Sequence, residues 1–222
     1  MPCANSFFYA PLRKNTLRAA GFFALMALQT ASASAEDPYQ AAMRAVKAND
    51  FAQAVTLFEP LAQSDDHDAQ YNLAILLKSG KGRPQHFTQA LEWAWLSQLG
   101  GVERAQSLSE ELAALVPPAQ RDECLEKIGT HLEARLARGE SGAVMQYVTY
   151  KSEILPKPDF QSAYVWSLIG AALDLQDAAQ MRDQFAEDLD PKTIATAQDT
   201  ARAMFQEQNM TALFRSQDDV DS

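Results

Sequence analysis

Disulfide chemistry is the first thing this sequence excludes. Its 222 residues hold 2 cysteines. Cys3 lies in an N-terminal stretch expected to be removed, so Cys124 stands alone and stability must come from packing. Cys124 shares an apolar register with Leu125, Ile128 and Leu132, which predicts a buried small hydrophobe rather than a reactive thiol. Histidine is equally scarce. His67, His86 and His131 are the 3 present, and none stands at the helical i, i+4 spacing, with a carboxylate between, that a metal-binding helix uses. They are expected at polar surfaces, with no metal site. There is no Gly-x-Ser-x-Gly elbow and no Cys paired nearby with His, so nucleophilic hydrolysis has no candidate. Gly80-Lys81-Gly82 is too short for a phosphate loop and reads as a turn. Acidic neighbours such as Asp65-Asp66 and Glu110-Glu111 point about 100° apart on a helix and cannot form a tuned acid–base pair by themselves. No catalytic residue and no cofactor is therefore expected.

Positive charge is also short. Lys and Arg number 19 against 29 Asp and Glu, a net charge of -10. That balance argues against nucleic acid, which demands a basic face, and against an anionic membrane surface.

The basic residues are concentrated where they carry a different message. Arg13, Lys14 and Arg18 precede an apolar run from Ala19 to Leu28, followed by Ala31-Ser32-Ala33-Ser34-Ala35 and then Glu36-Asp37. This order is that of a secretory signal peptide. The apolar run is about half the roughly 20 residues that a bilayer span needs. Residues 1–35 are expected to leave by cleavage after Ala35, placing the chain in the periplasm or outside the cell. The remainder carries 16 basic residues against 29 acidic ones. Residues 36–210 are expected to form one domain and 211–222 a polar tail.

What the sequence does have is repetition. Asp50-Phe51-Ala52-Gln53-Ala54 recurs 36 residues later as His86-Phe87-Thr88-Gln89-Ala90, and the same shift carries Ala69-Gln70 onto Ala105-Gln106. A shift of 73, close to twice that, takes Phe87 onto Phe160, Ala90 onto Ala163, Trp93 onto Trp166, Ala105 onto Ala178 and Pro118 onto Pro191. One period running through the chain marks a repeat architecture. Alanine is abundant, no segment alternates apolar with polar, and apolar stripes such as Leu73, Leu76, Leu77 and Leu91, Trp95, Leu99 have helical spacing. Helices are predicted over 38–49, 51–64, 67–79, 87–99, 102–115, 118–138, 141–154, 160–174, 176–189 and 191–208. Asp190 should cap the helix that Pro191 opens. The short connections predict that consecutive helices lie antiparallel as neighbours. A two-helix unit cannot bury its own apolar face, so the units should stack into a short all-α solenoid.

The stretch Asp68-Ala69-Gln70-Tyr71-Asn72-Leu73-Ala74-Ile75-Leu76-Leu77-Lys78-Ser79-Gly80-Lys81-Gly82, continued by Phe87-Thr88-Gln89-Ala90-Leu91-Glu92-Trp93-Ala94-Trp95-Leu96, resembles a unit of the Sel-one-like repeat family, a cousin of the tetratricopeptide repeats. Residues 66–100 match best, and residues 119–158 diverge most. Glu153 and Leu155 stand where the 73-residue shift would place Gly80 and Gly82, so that turn must differ. The resemblance implies a non-catalytic interaction scaffold that binds a protein or peptide partner. Tyr71, Asn72, Ile75 and Lys78 lie off the leucine stripe and are the candidate partner-binding residues, with Asn72 suited to clamp a ligand backbone because its amide both donates and accepts. The alternative is that Tyr71 and Asn72 only satisfy neighbouring helices. A second functional reading, an exported enzyme or enzyme subunit acting on cell-wall or peptide substrates, would need a pocket of convergent ionisable groups.

Overall fold

The structure is a computed structural model that describes residues 37–207, 210 and 212–214. The expected leader, residues 1–35, lies outside the described residues, and the expected tail is described only over 212–214. Among the described residues there are ten α-helices, one π-helical turn and no strand: α1 (Pro38–Lys47), α2 (Phe51–Gln63), α3 (His67–Ser79), α4 (Phe87–Leu99), α5 (Glu103–Leu115), α6 (Pro118–Ala137), α7 (Gly142–Thr149), the π-turn (Tyr150–Ile154), α8 (Phe160–Ala172), α9 (Ala178–Asp188) and α10 (Pro191–Glu207). None is long and apolar enough to cross a membrane.

Local chemistry sets the boundaries. Side chains of Asp50, Asp66, His86 and Asp159 accept from the backbone N–H three residues on, at 2.9 to 3.1 Å, and so satisfy otherwise orphaned helix donors. Asp50, His86 and Asp159 are positions that the 36- and 73-residue shifts superimpose, so the repeat in sequence is also a repeat of caps. Asp190 caps α10 as expected, accepting from Lys192 and Thr193. Most helices end alike. Asn49, Asp65, Gly80, Gly101, Gly139 and Asp174 adopt the left-handed conformation, and the next residue's N–H returns to a carbonyl five residues back, as from Asp50 to Ala45 and Glu140 to Arg135. This is the Schellman termination, in which Asn and Asp tolerate the left-handed region better than other side chains.

Packing follows a rule visible in the 73-residue shift. α3 packs on α4 and α7 on α8; α5 and α6 both pack on α4, while α9 and α10 both pack on α8. The fully buried positions coincide as well: Ala90 with Ala163, Ala105 with Ala178 and Cys124 with Ala197. A small side chain at each lets helix axes approach closely.

Two expectations are corrected. α5 and α6 do not pack along their lengths although only Val116 and Pro117 separate them. Both linking residues are extended, without the left-handed residue that reverses the chain at Asn49, Asp65 or Gly101, and α6 lies on α4 instead. α9 and α10 behave likewise. The predicted continuous helix 141–154 also changes winding at Tyr150. The Tyr150 hydroxyl donates to the Leu125 carbonyl at 2.8 Å and lies over Gly129, where a Cβ would meet it. Beyond α10, Met210 and Phe214 are buried, so burial extends past the residue where a polar tail was expected to start.

Candidate functional site

The four candidate partner-binding residues share one face of α3, and the neighbouring odd-numbered helices reach into it. Asn72 Nδ2 donates to the Tyr39 hydroxyl of α1 at 2.9 Å and to the Asp68 carbonyl at 2.8 Å. The Arg104 guanidinium of α5 sits 4.4 Å above the Tyr71 ring and pairs with Asp68. Lys78 pairs with Glu111 of α5. Ile75, between them, is 38% exposed. The structure thus brings all four together. It also engages Tyr71, Asn72 and Lys78 with adjacent helices, leaving Ile75 as the apolar group without such a bond.

A second constellation was not legible in sequence. His67 and His131, expected at polar surfaces, are half-buried and belong to one network. Arg135, on α6 and 7% exposed, donates from Nε to Glu140 Oε2 at 2.6 Å and from a terminal nitrogen to Gln146 Oε1 at 2.6 Å. Its Nε also lies 3.4 Å from Asp65. A guanidinium only donates, so Gln146 must present its oxygen to Arg135 and its amide nitrogen to His67 Nε2, at 3.1 Å. His67 then carries its proton on Nδ1, which donates to Gln70 Oε1 at 3.0 Å. Gln70 Nε2 completes the chain by donating to the Ala62 carbonyl at 3.0 Å. Ser97 of α4 donates to the His67 carbonyl at 2.7 Å. Arg135 and Glu140 flank the α6–α7 turn, so the network joins the two copies of the 73-residue arrangement.

The network borders a cleft of about 180 Å³ between the end of α2, α4 and α6. Ala62, Trp93, Leu96 and Ile128 form its apolar lining, and Gln63, Asp65, Glu92, Lys127 and His131 its polar one. His131 Nε2 donates to Asp65 Oδ1 at 3.2 Å, while Lys127 stands 3.9 Å from Glu92, too far for a hydrogen bond. A cleft of about 250 Å³ lies between α8 and α10, with Leu168, Ile169, Ala172, Ala201 and Phe205 as its apolar lining and Gln198, Arg202 and Gln206 as its polar one.

Burial disfavours ionisation of Asp65, but the His131 hydrogen bond and the Arg135 charge outweigh it and hold the carboxyl below the ordinary carboxylate range. Glu140 is held low in the same way by Arg135 and Arg138 against its own burial. Both are therefore ionised and paired near neutrality, an arrangement that fixes structure and orients donors. Burial, with a contribution from Glu92, pushes the Cys124 thiol up to about 11, leaving it protonated and a poor nucleophile. No group of three or more His, Cys, Asp or Glu among the described residues is placed to hold a metal ion.

No protein-family model, no curated protein and no solved structure matches this chain. The resemblance of residues 66–100 to a Sel-one-like unit accordingly rests on those residues themselves.

Proposed function

We propose that this chain is an exported, non-catalytic helical-repeat scaffold of the Sel-one-like type, a short α-solenoid that holds a protein or peptide partner on the face built by α1, α3 and α5. The solenoid reading is supported by locality, since the substantial helix contacts all join elements at most three places apart along the chain. In such stacks each unit contacts chiefly its neighbours, and successive units present a continuous surface. The observation that carries the binding reading is the run of links from Tyr39 to Asn72, Tyr71 to Arg104 and Lys78 to Glu111, which fixes three helices into one surface around the exposed Ile75.

A photoactivatable crosslinker placed at Ile75 in the exported protein should capture one recurrent protein partner, and the same group at exposed Ala195 on α10 should not. Capture of nothing at position 75, or identical products at both positions, would overturn the reading. The export part is checked separately: the N-terminus of the mature protein should be Glu36.

A further inference from the structure

We infer that the groove between α8 and α10 is the docking site for one amphipathic helix of a partner protein, a helix that carries a tyrosine and, three residues on, an acidic side chain. This rests on the partner being a protein or peptide but not on the α3 face, because the groove uses none of its residues.

The chain itself shows what such a groove receives. Under the 73-residue shift Leu168, Ala172, Gln198, Arg202 and Phe205 of the groove correspond to Trp95, Leu99, Leu125, Gly129 and Leu132. In the first copy all five counterparts are buried, and α7 lies on both α4 and α6. Tyr147 of α7 donates to Glu133 Oε1 at 2.9 Å, and Tyr150 reaches the Leu125 carbonyl above Gly129. In the second copy α10 lies on α8 as α6 lies on α4. There, however, Leu168 and Phe205 are half-buried, and Ala172, Gln198 and Arg202 are exposed, around an opening of about 250 Å³. That volume is below the ~300–1,000 Å³ of small-molecule pockets. It suits the side chains that one face of a helix inserts.

The differences between the copies define the occupant. A Cβ at Gly129 would lie 2.9 Å from the Tyr150 hydroxyl, and Arg202 puts a whole side chain at that level. A helix docking here therefore cannot repeat Tyr150, and a hydrogen-bond acceptor takes its place. Arg202 is the charged side chain of the groove lining. Its ion pair with Asp199, at 3.6 Å, is longer than a hydrogen bond and exposed on both sides. Such a pair contributes little, so a carboxylate held against the apolar wall of Leu168 and Phe205 competes with it. Gln206 stands where Glu133 receives Tyr147, and its amide oxygen can still accept from a tyrosine hydroxyl. The end-on alternative, α1 of another molecule of this protein, exposes Gln40, Arg44 and Lys47, which bring like charge to Arg202.

The probe is a helix-stapled peptide of residues 142–154 with Tyr150→Glu, which keeps Tyr147 and sets an acid three residues on. It is titrated into the mature protein at pH 7.5 while the methyl resonances of Leu168 and Ile169 are followed. Both should shift saturably. The same peptide with Tyr150→Lys should bind about fivefold more weakly or worse. In an Arg202→Glu protein the order should invert, a reversal that general damage to the fold would not produce. Circular dichroism checks that this variant remains helical. Absence of saturation, equal binding of the two peptides, or an unchanged preference in Arg202→Glu would each overturn the assignment. So would methyl shifts that grow with protein concentration alone, which identify another molecule of this protein as the occupant. Peptide binding gained only on deletion of residues 215–222 would overturn it too, by identifying the chain's own tail. Failure here leaves the Ile75 crosslink unaffected, and failure of that crosslink leaves this titration unaffected.

Discussion

Arg135 donates from Nε to Glu140 Oε2 across 2.6 Å, closing the turn between α6 and α7 around a buried guanidinium. Removing the cation leaves Glu140 with Arg138 alone and Asp65 with His131 as its remaining basic partner. Arg135→Met should therefore destabilise the protein by about 2–3 kcal/mol, read from urea unfolding. This is below the ~3–5 kcal/mol for fully buried pairs, because both carboxylates retain some water. A loss within error of zero would show that the network contributes no stability.

The same pairing fixes a pH dependence. Asp65 and Glu140 both have folded-state pKa values below their unfolded ones. The stability they contribute is complete above the unfolded carboxylate range near 4, and it is lost as pH falls through the lower folded values. The urea midpoint should drop between pH 5 and 3, and Asp65→Asn should make that drop smaller. An Asp65→Asn protein as acid-sensitive as the parent would contradict the assignment.

Two glycines with similar backbones should respond differently to a methyl group. Gly82 has φ +82°, and a Cβ there would lie 2.2 Å from the Phe51 carbonyl oxygen; Gly101 has φ +84° with nothing within 4 Å. Gly101→Ala should cost about 1–2 kcal/mol from the left-handed conformation alone. Gly82→Ala adds a clash with backbone and should cost clearly more, lowering the melting temperature further. Equal losses would mean that the 81–86 loop can move off α2.

Cys124 is buried, its sulfur 3.6 Å from the Thr88 carbonyl, with its thiol shifted up to about 11. A thiol reagent at pH 8 should label it only as fast as the protein opens. Cys124→Ala copies the second-copy residue Ala197 and should be nearly neutral, whereas Cys124→Leu should cost about 1–3 kcal/mol by wedging α6 from α4. Rapid labelling of the folded protein would refute this burial.

The helices were legible because their signals are local. Asp66, His86 and Asp159 stand before apolar runs, and α3 and α4 have the predicted ends. Turns closed by Gly80, Gly101 and Gly139 could be read, while those closed by Asn49, Asp65 and Asp174 carry a weaker signal, since Asn and Asp are residue types that favour helix N-caps as well. The π-turn depends on a meeting of Tyr150 with Gly129, and the polar network on residues from 65 to 146, so neither follows from spacing. The candidate face on α3 was found through its departure from the leucine stripe. Its partners Tyr39, Arg104 and Glu111 each lie 33 residues along the chain from the residue they meet, close to the 36-residue period, which does not name them. His131 reads as a polar-surface residue, and its meeting with Asp65, 66 residues away along the chain, leaves no mark in local spacing.

The seam made by Arg135, Glu140 and Gln146 has a consequence for how the protein would come apart. A peptide-bond break at Gly139 would leave the cation on one fragment and both of its hydrogen-bond acceptors, Glu140 and Gln146, on the other. Neither piece could then complete that interior alone. The fragments are expected to be poorly ordered when separate and to regain helicity when mixed, so the duplication would behave as two interdependent halves.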